Sequence, residues 1–185
     1  THTQSSAASD VYKRQINGSK SFEFFGDSNQ GHFVKMIHNG IEYVEMQLIS
    51  SIYYLMINSK KYSYEDVAKI FNKWNDIDLN SYLLEISLLK LTEKTDDSYL
   101  LDRIDDKADD NGTGRWMLKH AIDLGCSVSM LNSAIDSRFI SNNNSTRSKA
   151  NKLINEDKKE YDIDFESLAN CLLYTSDAAD DCVCV

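Results

Sequence analysis

Proline is missing from all 185 residues, although asparagine, lysine, isoleucine and tyrosine are plentiful. That bias is the mark of AT-rich coding and defines no structural class. Cysteine is scarce: Cys171, Cys182 and Cys184 crowd the C-terminal end, and Cys126 stands alone among apolar neighbours. A single interior cysteine builds no disulfide framework and reads as a small core residue. No Lys/Arg cluster interrupts a chain of net charge −9, which argues against nucleic acid as a partner. No apolar run approaches the roughly 20 residues that cross a bilayer, and no secretory leader is visible. The expectation is a cytoplasmic protein that engages neither membrane nor nucleic acid.

The two ends are related in a way that protein chemistry does not produce. Read back into DNA, one choice of codons for residues 5–15 has a reverse complement that translates, shifted by one base, as residues 171–181. The match extends outward, because residues 1–4 read antisense are compatible with residues 182–185. A transposase-type sequencing adapter with its barcode, translated on both flanks of an insert, gives this pattern. Residues 1–15 and 171–185 are therefore set apart from the fold. They hold two basic and four acidic residues, which leaves the insert 16–170 at −7. They also carry off the C-x-C tail that otherwise invites a metal or redox reading. The insert is long enough to bury the core of one domain.

What the chain does contain is concentrated in one run, G-H-F-V-K-M-I-H-N-G-I-E-Y-V-E-M-Q, from Gly31 to Gln47. Lys35, His38, Asn39, Glu42 and Tyr43 fall at i, i+3, i+4, i+7 and i+8; at about 100° per residue they share an arc of roughly 140°. Phe33, Ile37, Ile41, Val44 and Leu48 fall opposite and form the expected buried side. A solvated stripe is built from Lys/Glu pairs, whereas this one mixes a base, an acid, an imidazole, an amide and a phenol. Gly40 costs a helix interior roughly 1 kcal/mol unless something must approach the backbone there.

The run resembles the helical domain of the decarboxylating 6-phosphogluconate dehydrogenases, whose pattern is G-H-F-V-K-M-V-H-N-G-I-E-Y-x-x-M-Q. The chain departs at Ile37 and, where a small residue is usual, at Val44. The K-x-x-x-N core from Lys35 to Asn39 is shared with the wider β-hydroxyacid dehydrogenases and says less by itself. The likeness continues in order through Phe71 to Asn75 (F-x-x-W-N) and Leu79 to Glu85 (L-x-S-[FY]-L-x-E). It resumes in Asp106 to Trp116 (D-x-A-x-x-K-G-T-G-K-W) and in Ala134 to Ser141 (A-V-F-A-R-x-[IL]-S). It covers only part of a full family chain.

The resemblance implies a mainly α fold, a multi-helix C-terminal domain with one short strand left from a Rossmann domain outside the chain. Residues 16–26 are then the end of that cofactor domain, with a strand at Ser21-Phe22-Glu23-Phe24-Phe25, and residues 27–170 a truncated helical domain for substrate and dimerisation. Residue patterning predicts helices over about 28–58, over 64–74 with Ser63 and Asp66 as caps, over 79–92, over 113–124 closed by Gly125, and over 127–141. Residues 100–104 read as a connector, 142–164 as a polar stretch without order, and Phe165 as the start of a further helix.

Oxidising a secondary alcohol needs a base to accept the hydroxyl proton while hydride leaves. Decarboxylating the β-keto acid needs the ketone oxygen polarised, and the enediol then needs a proton on carbon. The resemblance assigns the base and polariser to Lys35 and the acid to Glu42. Burial suits such a pair, since it lowers the pKa of a lysine and raises that of a glutamate. By the same resemblance His38 and Asn39 bind substrate hydroxyls and carboxylate. Tyr43, Asn111, Thr113 and Arg138 bind the phosphate, Arg138 as a bidentate donor and Thr113 through N–H groups at a helix start.

Two departures bear on that pocket. Asn111 stands where the family has a lysine, and Asp136 replaces an aromatic residue two positions before Arg138, with Lys107 and Arg115 at hand to compensate. The acidic loop from Asp105 to Gly112 fails as a calcium loop, because Lys107 falls at the first ligand position and Leu118 at the last. No metal is expected. The resemblance implies a homodimer that converts 6-phosphogluconate to ribulose 5-phosphate with NADP, the cofactor being held by the domain outside the chain, which alone is then inactive. A non-catalytic dimerisation module or degraded gene product is the alternative from another class, and another β-hydroxyacid dehydrogenase the alternative among enzymes.

Overall fold

A computed structural model describes residues 15–16, 19–20, 29–59, 62–77, 79–153, 164 and 167–170. It divides into two units, residues 1–35 and 36–185. In the first, β1 (Gln15–Ile16) and β2 (Ser19–Lys20) pair antiparallel, with Gln15 opposite Lys20 and Ile16 opposite Ser19. β1 thus takes in Gln15, the last residue of the N-terminal flank. The strand expected at 21–25 lies outside the described residues. The start of α1 (Gln30–Asn58) belongs to this unit as well; there the Asn29 carbonyl accepts from the amides of His32 and Phe33 at 3.0 and 3.1 Å.

The second unit holds the rest of α1, then α2 (Tyr64–Asn75), α3 (Tyr82–Thr92) and a hairpin of β3 (Lys94–Thr95) with β4 (Ser98–Tyr99). A 3-10 turn (Leu100–Arg103) leads on to α4 (Thr113–Leu124), α5 (Ser129–Asn142) and α6 (Asn144–Leu153), and residues 167–170 are helical. The mainly α architecture expected from the sequence is the one observed.

Local chemistry sets most boundaries. Ser63 Oγ accepts from the Asp66 amide at 3.2 Å while the Asp66 carboxylate accepts from the Ser63 amide at 3.1 Å, so two donors at the start of α2 are satisfied reciprocally. α3 starts later than the apolar spacing suggested, because the hydroxyl of Ser81 caps it by accepting from the Leu84 amide at 3.1 Å. α4 has the expected bounds, with Gly125 as its C-cap.

α6 corrects the expectation of a stretch without order after 142. The Asn143 side chain accepts from the Thr146 amide at 3.2 Å, which starts a helix whose composition shows no apolar period. Residues 154–163 and 165–166 lie outside the described residues. The β3–β4 hairpin was not anticipated; it turns through Asp96 at φ 56°, a conformation that aspartate tolerates. Tyr99 fastens it to α2 by donating to the Glu65 carboxylate, which holds Glu65 below the usual carboxylate range.

α1 buries different sides along its length. In its first half Tyr43 and Val44 pack on Leu131, Ala134 and Ile135 of α5. From Ile49 onward Ile49, Ile52 and Met56 join Phe71 and Trp74 of α2 and Leu84 and Leu91 of α3. At about 100° per residue the buried side moves round the helix by roughly half a turn between the two groups. This overturns the single apolar face read from sequence. Of the expected face only Val44 is buried; Phe33 is exposed, Ile37, Ile41 and Leu48 are half-buried, and the first half buries Met36, Gly40 and Tyr43 beside Val44. The cause is visible at Gly40, where an added Cβ would run into the Met117 sulfur of α4. The close approach that this glycine permits is made by a neighbouring helix.

Candidate active site

The exposed part of the α1 stripe carries Lys35, His38 and Glu42. His38 Nδ1 lies 3.5 Å from Glu42 Oε2, one turn along, and 3.4 Å from Asn39 Oδ1. The side chains of His38 and Glu42 keep 55% and 38% of their surface. Lys35, in the first unit, is exposed. The burial expected of the lysine–glutamate pair is therefore not supplied by the described residues.

Tyr43 departs most from its expected place. It is buried rather than set on the open stripe, because its ring fills the notch over Gly114, where an added Cβ would lie 2.8 Å from two ring carbons. A side chain at position 114 has no room while that ring is there. The Arg138 guanidinium sits 3.9 Å over the same ring, a cation–π contact, and its Nη1 donates to the Asp109 carbonyl at 2.7 Å. The Tyr43 hydroxyl donates to Asp110 Oδ1 at 3.3 Å and accepts from the Asn111 amide at 3.4 Å. Tyr43, Asn111 and Arg138 thus meet near the start of α4, whose first residue is Thr113. His38, Asn39 and Glu42 lie apart from that group on the open side of α1.

Sequence reasoning missed Asp110, the carboxylate at the centre of the group. Its Oδ1 accepts from the Gly112 amide at 2.8 Å, and its Oδ2 lies 2.5 Å from Arg115 Nε. The signal was an aspartate two residues ahead of a glycine that precedes a helix, the setting of a side-chain-to-backbone turn. Asp136, which the sequence pointed to instead, accepts from Asn132 Nδ2 at 3.1 Å on the exposed surface of α5. Residues two apart on a helix face different ways, so Asp136 does not share the side of Arg138. Arg115 is engaged by Asp110, which removes it as a ready substitute for the lysine lost at Asn111.

The rest of the acidic loop is tied down by α5 and α6. The Ala108 amide donates to Ser141 Oγ at 2.8 Å and Asn142 Nδ2 donates to the Ala108 carbonyl at 2.9 Å. Arg147 pairs with the Asp106 carboxylate at 2.9 Å and holds it below the usual carboxylate range. Among the described residues, no three His, Cys, Asp or Glu side chains stand where they would share a metal ion. Among them, too, no helix is long and apolar enough to cross a membrane.

The family profile described as 6-phosphogluconate dehydrogenase, C-terminal domain, matches residues 31–179, including part of the C-terminal flank. The decarboxylating 6-phosphogluconate dehydrogenase of Buchnera aphidicola is 40% identical over 141 residues, 76% of this chain and 30% of that protein. The enzyme of the same description from Salmonella typhimurium is 38% identical over 145 residues, 78% of this chain and 31% of that protein. A solved Plasmodium falciparum 6-phosphogluconate dehydrogenase, studied apo, with its cofactor NADP+ and with its substrate 6-phosphogluconate, superposes with a TM-score of 0.77. Its identity to this chain is 38%, and the match covers 88% of this chain and 36% of that one. The likeness thus takes in helix order and sequence together. The chain belongs to the 6-phosphogluconate dehydrogenase family and carries the C-terminal domain of that family. It spans about a third of the length of the relatives that it matches.

Proposed function

We propose that these residues are the substrate side of an enzyme that oxidises and decarboxylates 6-phosphogluconate to ribulose 5-phosphate. Lys35 accepts the hydroxyl proton during oxidation and then polarises the ketone oxygen. Carbon dioxide leaves, and Glu42 protonates the enediol carbon. His38 and Asn39 hold the hydroxyls and carboxylate, while Tyr43, Asn111, Thr113 and Arg138 hold the phosphate. The observation that carries this reading is the run from Gly31 to Gln47 on one helix, with His38 and Glu42 3.5 Å apart on its open side.

Among the described residues nothing fits the hydride acceptor, NADP by the family's resemblance. The glycine pair Gly112 and Gly114 opens α4 from an acidic loop, with Gly114 packed against Tyr43, where a dinucleotide needs a strand-to-helix turn. This chain alone is expected to be inert. A cytoplasmic homodimer belongs to the same reading. Tyr82 of α3, Ile122 and Leu124 of α4 and Ile140 of α5 keep between 63% and 72% of their surface, which supports their being covered by further chain.

The test is to express the full gene and follow NADPH formation with 6-phosphogluconate. An enzyme that oxidises other β-hydroxyacids and leaves this one untouched overturns the substrate assignment. We also infer that residues 1–15 and 171–185 are translated adapter, on the antisense relation between the flanks. Codons for Val11-Tyr12-Lys13-Arg14-Gln15 found in frame in the source gene would overturn that.

A further inference from the structure

Asp110 keeps only 4% of its side-chain surface, although its loop is otherwise polar and open. A carboxylate withdrawn from water to this degree needs compensating charge and donors. It finds the Gly112 amide at 2.8 Å, the Tyr43 hydroxyl at 3.3 Å and Arg115 Nε at 2.5 Å. The last is an ion pair without hydrogen-bond alignment, which leaves Oδ2 with no hydrogen-bond partner among the described residues. Arg138 lies over the ring of the same Tyr43. A phenol, an amide at the start of a helix and two nearby guanidinium groups are the donors that a phosphate monoester needs. Here a carboxylate of the chain already stands among them.

We propose that Asp110 occupies the anion position of this pocket, so that a phosphate group binds only by displacing the carboxylate. Asp110 is thereby an internal competitor that sets phosphate affinity. The inference rests on the reading of the pocket as the phosphate end of the substrate site. A local explanation exists: an aspartate two residues before the glycine that precedes a helix often closes a turn on the backbone. That role needs only an acceptor for the Gly112 amide, and asparagine or serine also supplies one. The buried pairing with Arg115 needs the charge. Removing the charge while keeping the acceptor separates the two.

The experiment titrates the full chain with inorganic phosphate at fixed ionic strength, by calorimetry and by the amide signals of Gly112 and Thr113. It compares the native chain with Asp110→Asn, Asp110→Ser and the double variant Asp110→Asn, Arg138→Met. Circular dichroism checks that each is folded, and the serine variant serves if the asparagine one is not. The expected result is phosphate affinity raised roughly tenfold or more by either neutral side chain, with the gain lost in the double variant. Affinity equal to that of the native chain in both neutral variants, whether tight or absent, overturns the proposal and leaves Asp110 as a turn residue. The substrate reading fails separately. If the neutral variants gain phosphate affinity but bind 6-phosphogluconate no tighter than phosphate itself, the competitor stands and the assigned substrate falls.

Discussion

The first half of α1, from Met36 to Glu45, buries a methionine, a glycine, a tyrosine and a valine and keeps His38 and Glu42 in the open. The second half, from Ile49 to Met56, buries two isoleucines and a methionine against the largest apolar cluster among the described residues. Both halves belong to one helix, yet they are held in different ways. The first is seated by shape, through the Tyr43 ring over Gly114 and Met117 against Gly40. The second is seated by area, with Phe71 and Trp74 stacked at 5.6 Å behind it. Half a turn of drift in the buried side lets the same helix keep polar groups in the open at one end and offer a core face at the other. Chemistry and stability are therefore expected to separate along it.

The sharpest break of that comparison lies at its open end. In the complete enzyme, Lys35→Met is expected to lower kcat about 10²–10⁴-fold, the usual worth of a positioned acid or base, and Glu42→Gln to act mainly on kcat as well. Neither is expected to shift the thermal midpoint, since Lys35 is exposed and Glu42 packs into neither apolar cluster. Steady-state kinetics beside a thermal melt decide the matter. Near-native kcat in both variants removes the acid–base assignment.

The opposite result is expected at the core end. Phe71 keeps 1% of its surface, and Phe71→Ala opens a cavity in the apolar cluster that α1, α2 and α3 share. A loss of about 3–5 kcal/mol in unfolding free energy is expected, read from denaturant midpoints. The kcat of whatever enzyme remains folded should be close to native. A variant that lost kcat but kept its stability would show that the two halves are not separate.

How far these residues could be read in advance follows the same division. Capping and period-bearing features were legible: Ser63 with Asp66, Gly125, and the helices between them are written in short-range chemistry. The stripe on α1 was legible as a set of residue types at a spacing. Its orientation was not, because which side of a long helix is buried depends on partners far away in sequence, here Met117 and Ile135. Tyr43 was placed with the open groups for that reason. Asp110 was passed over in favour of Asp136 because a sequence shows how near a charge is along the chain, while the fold decides which one reaches Tyr43.

Asn111 offers a smaller and more selective effect at the pocket. It is exposed, and its backbone amide already serves the Tyr43 hydroxyl, so Asn111→Lys adds a charge without breaking that contact. A charge-assisted hydrogen bond to a buried anion is worth roughly 1.5–3 kcal/mol. KM for 6-phosphogluconate in the complete enzyme should accordingly fall about tenfold or more, with kcat little changed, because phosphate contacts act alike in ground and transition states. An unchanged KM would mean that a neighbouring cation such as Lys107 already serves the phosphate.

The smallest effect probes the scaffold side at the start of α2. Ser63 Oγ donates to Asp66 Oδ2 at 2.7 Å and accepts from the Asp66 amide at 3.2 Å. The hydroxyl first, and the Ser63 amide second, hold the Asp66 carboxyl below its ordinary value. A carboxylate whose pKa is lowered by folding contributes stability above the ordinary carboxylate range and loses it as pH falls through the folded value. Ser63→Ala should cost about 1 kcal/mol at neutral pH, a typical value for a lost cap. Part of that cost depends on the ionised carboxylate, so the gap between native and variant thermal midpoints should narrow on acidification below the ordinary aspartate range. Melts of both proteins at neutral and strongly acidic pH measure it. A gap of the same size at both would assign the whole cost to the hydroxyl's bond with the Asp66 amide and none to the carboxylate.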